Sequence, residues 1–243
     1  MKLLKMKKRF LYIVLASVAL TSCRKDEIEI IPEVEISTQD TYDDEAATNF
    51  LQTHYFDSKG NIKNFVATDT VNVKLADLVP APVKLPSGVI YLVRATAQPD
   101  PGTVVGSTDV INFFSRTFTY VATKTDDKVQ YSGASFFKDN IGGTGIPDID
   151  PIYYYVKQKV LTDTSQPRSY FEIEGLKEGL SKFKAFDLPD EAGYNLQGLI
   201  IVPSRAAFAR DLHYNFNNVS YRNRSFVFNF QLYKSRARLP SEM

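Results

Sequence analysis

Ser204, Asp211 and His213 bring together a hydroxyl, a carboxylate and an imidazole, the side chains of nucleophilic acyl transfer. No G-x-S-x-G elbow surrounds Ser204, and such sets arise by chance in a chain of this size, so a hydrolase is not expected. The two histidines, His54 and His213, lie too far apart for a paired-ligand spacing, and Cys23 is the only cysteine. Neither a metal centre, a disulfide framework nor any other cofactor is therefore implied. Gly142-Gly143-Thr144-Gly145 lacks a following Lys-Ser/Thr and reads as a loop, not a phosphate cradle. A formal net charge of +1 over 243 residues gives no case for nucleic acid as a partner. Seven basic residues from Arg205 to Arg238 face only Asp211 and Glu242. That segment suits a solvated edge, or contact with an anionic partner or with the acidic N-terminal stretch. What remains is aromatic chemistry: 17 Phe and 14 Tyr, with no Trp.

The N-terminus reads as an address. Lys2, Lys5, Lys7, Lys8 and Arg9 precede an apolar run from Phe10 to Leu20, about half the length that a membrane-spanning helix needs. A basic start, a short apolar run and small residues after it make a signal peptide. Leu20-Thr21-Ser22-Cys23 then resembles the lipobox of bacterial lipoproteins, where cleavage precedes a cysteine whose thiol is diacylated with palmitate-type chains. Residues 1–22 are thus expected to be removed and Cys23 lipidated, which leaves a mildly acidic mature chain. Acyl chains contribute roughly 0.8 kcal/mol per buried CH₂ to holding such a protein on a membrane. No Asp directly follows Cys23, so the resemblance implies the outer membrane, on its periplasmic face or at the cell surface. Arg24-Lys25-Asp26-Glu27 resembles a surface-export signal and equally suits a solvated linker.

Between Asp26 and Ser58 there are ten acidic residues and no Lys or Arg. Residues 23–42 read as an acidic tether. Asp43 or Asp44 then caps a short helix with Phe50, Leu51, His54 and Tyr55 on one face and His54 half-buried, within a helical and loop extension over 43–87. Gly60, Pro80, Pro82 and Pro86 mark loops around a weak strand near 70–75. From Gly88 the pattern is mainly β. Strands are expected over 88–95, 109–122, 198–203 and 225–233, the last with Phe226, Phe228, Phe230 and Leu232 on one face. Leu176, Leu180 and Phe183 share a helical face, predicting one amphipathic helix over 176–185, and 206–212 has room for another turn or two. The expected fold class is α+β, a twisted antiparallel sheet wrapped on one short helix across 88–235, followed by a tail over 236–243.

Three segments carry a family resemblance. They are Phe171-Glu172-Ile173-Glu174-Gly175-Leu176-Lys177-Glu178-Gly179-Leu180, then Ile201-Val202-Pro203-Ser204-Arg205-Ala206-Ala207-Phe208-Ala209, then Phe226-Val227-Phe228-Asn229-Phe230-Gln231-Leu232. In that order they resemble the FKBP-type peptidyl-prolyl cis-trans isomerases, whose pattern runs approximately V-I-x-G-W-x-E-G-L, I-P-x-x-L-A-Y-G and L-x-F-x-V-x-L. Upstream, Ser87 to Tyr91 and Gly106 to Phe113 resemble the opening strands of bacterial members. The resemblance implies an FKBP-like fold and a lipid-anchored, divergent folding factor for exported proteins, with proline-containing segments as partners.

The family's chemistry needs no nucleophile. It twists an amide past a barrier of about 18–20 kcal/mol inside a dry aromatic pocket that fits the twisted state. By resemblance, the Ile173 N–H would bind a substrate carbonyl, Leu176 stands where the family has its pocket-floor Trp, and Phe228 is a wall. Phe208 replaces a hydroxyl-bearing Tyr, which removes a hydrogen bond worth about 0.5–1.5 kcal/mol. Tyr131 is the nearest match to the aromatic of an upstream F-D pair whose Asp is absent. A further Tyr position falls on Ser115 in one register and Tyr120 in another. With its polar groups replaced, the pocket is degenerate. A non-catalytic binding or chaperone module on the same fold is the alternative, as is an unrelated all-β surface lipoprotein with Tyr153-Tyr154-Tyr155 as an exposed aromatic cluster.

Overall fold

Alternating aromatic and aliphatic residues build the long strands, and small or polar residues punctuate them. The computed structural model describes residues 33–243, of which Glu35–Met243 form one compact unit. The expected signal peptide, Cys23 and the first part of the tether lie outside the described residues. In chain order the elements are α1 (Ile36–Thr53), β1 (His54–Phe56), β2 (Ile62–Asn64), β3 (Val83–Lys84), β4 (Ile90–Val93), β5 (Thr103–Val104), β6 (Val110–Thr125), β7 (Lys128–Asp139), β8 (Asp148–Ile149), α2 (Gln158–Thr164), α3 (Glu174–Leu180), β9 (Lys184–Ala185), β10 (Gly198–Val202) and β11 (Arg224–Arg236). The fold class is α+β. The main sheet runs β3-β4-β10-β11-β6-β7, with β8 also on β6, and every pairing is antiparallel.

Both faces of this sheet are covered. On one face, Leu176 and Leu180 of α3 pack with Ile200, Val202, Phe226, Phe228 and Phe230. On the other, Ala47, Phe50 and Leu51 of α1 pack with Leu92, Leu199, Ile201 and Val227. This is why all five residues of β10 are buried, as expected of a strand with apolar layers above and below. Gly175 and Gly179 bring α3 against β10. A Cβ on Gly175 would lie 2.5 Å from Val202 Cγ1, and one on Gly179 2.6 Å from Ile200 Cγ2. The close approach outweighs the roughly 1 kcal/mol that glycine costs a helix relative to alanine.

Several boundaries differ from those expected of the sequence. α1 begins at Ile36, inside the segment expected to be tether, and runs 18 residues. Its inward positions begin with Gln39 and Asp43, so polar side chains hide the helical period of its first half. Asp43 is therefore a buried mid-helix residue and not a cap. His54 ends the helix and is half-buried, stacked on Phe50 with ring centres 3.9 Å apart. No strand forms at 70–75; there is a single bridge from Tyr55 to Lys74, and then a 3₁₀ turn at Leu75–Asp77. α3 stops at Leu180, five residues early, although Phe183 still reaches the core. Within 206–212, Ala206 closes the 3₁₀ segment Ser204–Ala206 and residues 207–210 form turns. β7 has no clear signature in the sequence because Ser132, Gly133, Ala134 and Ser135 interrupt its apolar alternation.

Asp43 fastens α1 to the far end of β10. Its carboxylate accepts the Ser204 N–H at 2.7 Å and the Gln39 amide at 3.0 Å, while Asp44 pairs with Arg205 at 2.6 Å and Lys84 at 2.8 Å. Burial pushes the Asp43 carboxyl above its ordinary value, and the hydrogen bonds from Ser204 and Gln39 only partly offset this. A raised folded-state pKa means that the native state binds the proton more tightly than the unfolded chain. The Asp43 contribution to stability thus falls as pH rises from the ordinary carboxylate range through that raised value. Asp43→Asn keeps only one acceptor oxygen and turns its NH₂ towards the Ser204 N–H or the Gln39 amide, so it is expected to lower Tm by about 2–4 °C, the shift that roughly 1 kcal/mol gives a domain of this size. The deficit should be smaller at pH 7 than towards pH 4, since only the wild type loses stability as pH rises, which thermal melts of both proteins across that range will show.

Candidate functional site

Four of the expected site residues meet under the sheet. Ile173 precedes α3, Leu176 lies within it, Phe228 projects from β11, and Phe208 sits in the turn after β10. All four belong to one core cluster and are almost completely buried. Tyr131 is not with them. It lies on the opposite face beneath α1, stacked on Tyr120 at 5.1 Å and edge-on to Phe50 at 6.0 Å. Alternation along β6 likewise puts Ser115 on the α3 face with Phe113 and sends Tyr120 to the α1 face.

The aromatic that takes the place expected of Tyr131 is Phe137. It is the unpaired residue of a β-bulge, since Thr117 faces Lys138 and Phe118 faces Phe136. Such a bulge re-aims a side chain. Here it sets the Phe137 ring at the centre of a cluster, 5.0 Å from Tyr153, 5.1 Å from Phe226, 5.4 Å from both Phe216 and Tyr221, and 6.2 Å from Phe228. The sequence signal is the Phe136-Phe137 pair after the Gly133 stretch, but a bulge breaks the period-two pattern that assigns a face.

Tyr153 fills this cluster from the segment that the all-β alternative would have exposed. Tyr153, Tyr154 and Tyr155 are all buried, and the Tyr153 carbonyl accepts the Ile173 N–H at 2.8 Å. The backbone donor expected to face a substrate is thus satisfied within the chain. Burial also pushes the Tyr153 phenol well above its ordinary value, with the Asp148 carboxylate nearby raising it further. Residues 150–156 are pinned along their length. Arg238 donates to both carboxylate oxygens of Asp150, and its guanidinium lies 3.8 Å from the Tyr155 ring centre. The Arg168 guanidinium is 4.8 Å from the same centre. The Tyr154 hydroxyl donates to the Gly106 carbonyl at 2.6 Å. Glu172, fully buried, accepts the Val156 N–H at 2.7 Å and pairs with Arg168 and Lys177. Arg168 also donates to the Val156 carbonyl at 2.7 Å.

Outside this plug lies an open cleft of about 350 Å³, lined by Phe137, Lys138, Asp148, Ile149, Tyr153, Tyr214 and Phe216 among others. Lys138 and Asp148 bond to each other across it at 3.1 Å. The Ser204, Asp211 and His213 set is structural. His213 Nδ1 donates to the Asp211 carbonyl at 2.8 Å and Nε2 accepts the Tyr221 N–H at 2.8 Å, so neither nitrogen is left for Ser204. The imidazole also stacks on Phe208 at 4.7 Å. No protein-family profile matches this chain, and no curated protein is similar to it.

Removing one partner of a buried ion pair typically costs about 3–5 kcal/mol, because it strands the other charge. Glu172→Ala leaves Lys177 with Glu174 alone, at 3.5 Å, and releases the Val156 N–H from its acceptor. It is expected to lower the unfolding free energy by about that amount in urea melts. A loss under about 1 kcal/mol would mean that the Glu172 network is not what holds residues 150–156 in place.

Proposed function

We propose that this protein is a lipid-anchored, FKBP-like binding or folding-assistance module of the cell envelope that acts on exported proteins without isomerising proline. The fold reading is supported by the strand order β4-β10-β11-β6-β7 with α3 laid across one face. It is also supported by the meeting of the three resembling segments, through Ile173, Leu176, Phe208 and Phe228, in a single cluster. The observation that carries the non-catalytic reading is the hydrogen bond from the Ile173 N–H to the Tyr153 carbonyl. Isomerisation of this type needs an empty dry pocket with an unengaged donor, so that binding strengthens as the amide twists. Here the pocket is dry but filled by Tyr153, and the donor is engaged. Because α1, α2 and α3 are present and the tyrosine triplet is buried, an all-β protein with an exposed aromatic cluster is set aside.

Among the described residues no helix is long and apolar enough to cross a membrane. The membrane anchor in this reading is the acylated Cys23, and the acidic residues before Ile36 are the spacer.

In a prolyl-limited refolding assay, the full chain at substoichiometric amounts should leave the slow phase unchanged. An acceleration of about tenfold, equivalent to some 1.4 kcal/mol off the barrier, would overturn the non-catalytic reading. For the anchor, Cys23→Ala is expected to abolish fatty-acid labelling and move the protein from the membrane to the soluble fraction. Retention of that variant on membranes would count against lipidation.

A further inference from the structure

The open cleft borders a strand edge that has been left unpaired. β7 and β8 lie in succession along the same side of β6, with Arg116 facing Asp139 and Phe113 facing Asp148. The Asp150 N–H donates to the Ile111 carbonyl, so 111 with 150 and 113 with 148 are the hydrogen-bonded pairs. Antiparallel alternation then turns both the N–H and the C=O of Ile149 away from β6. Among the described residues neither group has a hydrogen-bond partner, and the Ile149 side chain is 60% exposed. The bulge on the same edge is treated differently: the Asn217 side-chain amide donates to the Phe137 carbonyl at 2.9 Å. One part of the edge is capped and the part beside the cleft is open.

Resting on the reading of this protein as a binding module, we propose that Ile149 and the adjoining cleft capture an extended, uncharged peptide segment by strand addition. The client backbone pairs with the Ile149 N–H and C=O. One of its aromatic rings enters the cleft lined by Phe137, Tyr153, Tyr214 and Phe216. Strand addition supplies affinity through main-chain hydrogen bonds, and the alternate side chains supply selectivity. An unpaired edge is a ready template for such pairing. The electrostatics select the same occupant. Lys138 and Asp148, the charged residues lining the cleft, neutralise each other and match a segment without charge. A volume of about 350 Å³ accommodates one ring with its neighbouring backbone. The half-exposed Tyr214 ring, 5.0 Å from Phe216 and edge-on to it, provides an outer wall.

The test uses the full chain and a fluorescein-labelled peptide Gly-Ser-Thr-Phe-Thr-Ser-Gly, read by anisotropy. Two further versions carry N-methyl groups on alternate amides, one in each phase. Strand addition predicts that one phase weakens binding about tenfold and the other leaves it within about twofold. Ile149→Lys should weaken the parent peptide about tenfold with Tm unchanged, since the side chain is exposed, and Tyr214→Ser should weaken it with the same methylation pattern retained. No binding up to about 1 mM, equal loss in both methylation phases, or full affinity in Ile149→Lys would each overturn the proposal. Prolyl isomerase activity would instead overturn the non-catalytic reading and leave the edge measurements as they stand.

Discussion

The Ile173 N–H has one partner, the Tyr153 carbonyl, and much of the molecule is arranged to keep it. A buried amide left without an acceptor costs about 1–3 kcal/mol, so the segment bearing that carbonyl cannot leave without a replacement. The chain makes departure harder still by anchoring both sides of Tyr153. Asp150 is gripped by Arg238, Tyr154 by the Gly106 carbonyl and Val156 by Glu172 and Arg168. Glu172 in turn sits next to Ile173, so the same short stretch that opens α3 holds both ends of the arrangement. The plug and the N-terminus of α3 are thus tied by one shared set of hydrogen bonds.

The sheet supplies the rigid wall against which this plug is set. Its central strands are buried on both faces because α3 covers one and α1 the other. Phe137 enters the core because a bulge turns it there, and Tyr153 packs against both it and Phe216. On the opposite face, α1 is fixed by apolar packing through Phe50 and Leu51 and by the buried carboxylate of Asp43. The electrostatic cost of that carboxylate falls on the attachment of α1 and not on the cluster around Tyr153.

Strands β6, β10 and β11 and the core of α3 are legible in the sequence, because their apolar residues keep one period over enough length to assign a face. The gathering of Ile173, Leu176, Phe208 and Phe228 follows from motif order. Three features are not legible, each for a physical reason. The first half of α1 buries Gln39 and Asp43, so its inward stripe carries no apolar period. Phe137 sits on a bulge, where period-two reasoning sends side chains to the wrong face, and Tyr131 matches the family's aromatic by motif alone. The three consecutive tyrosines obey no period at all; their burial depends on Gly106, Arg168, Glu172 and Arg238, partners distributed along the chain.

Proposed as a member of the FKBP-like class that has exchanged its pocket for an internal ligand, the protein stands or falls on whether that ligand stays in place in solution. Native-state hydrogen exchange of the Ile173 amide reports this directly. If the Tyr153 carbonyl holds it as described, the amide exchanges only through global unfolding, with the same free energy and urea dependence as core amides of β11 such as Phe228. Exchange through a local opening, with a free energy near zero and no urea dependence, would mean that the pocket empties readily and would contradict a permanently seated Tyr153.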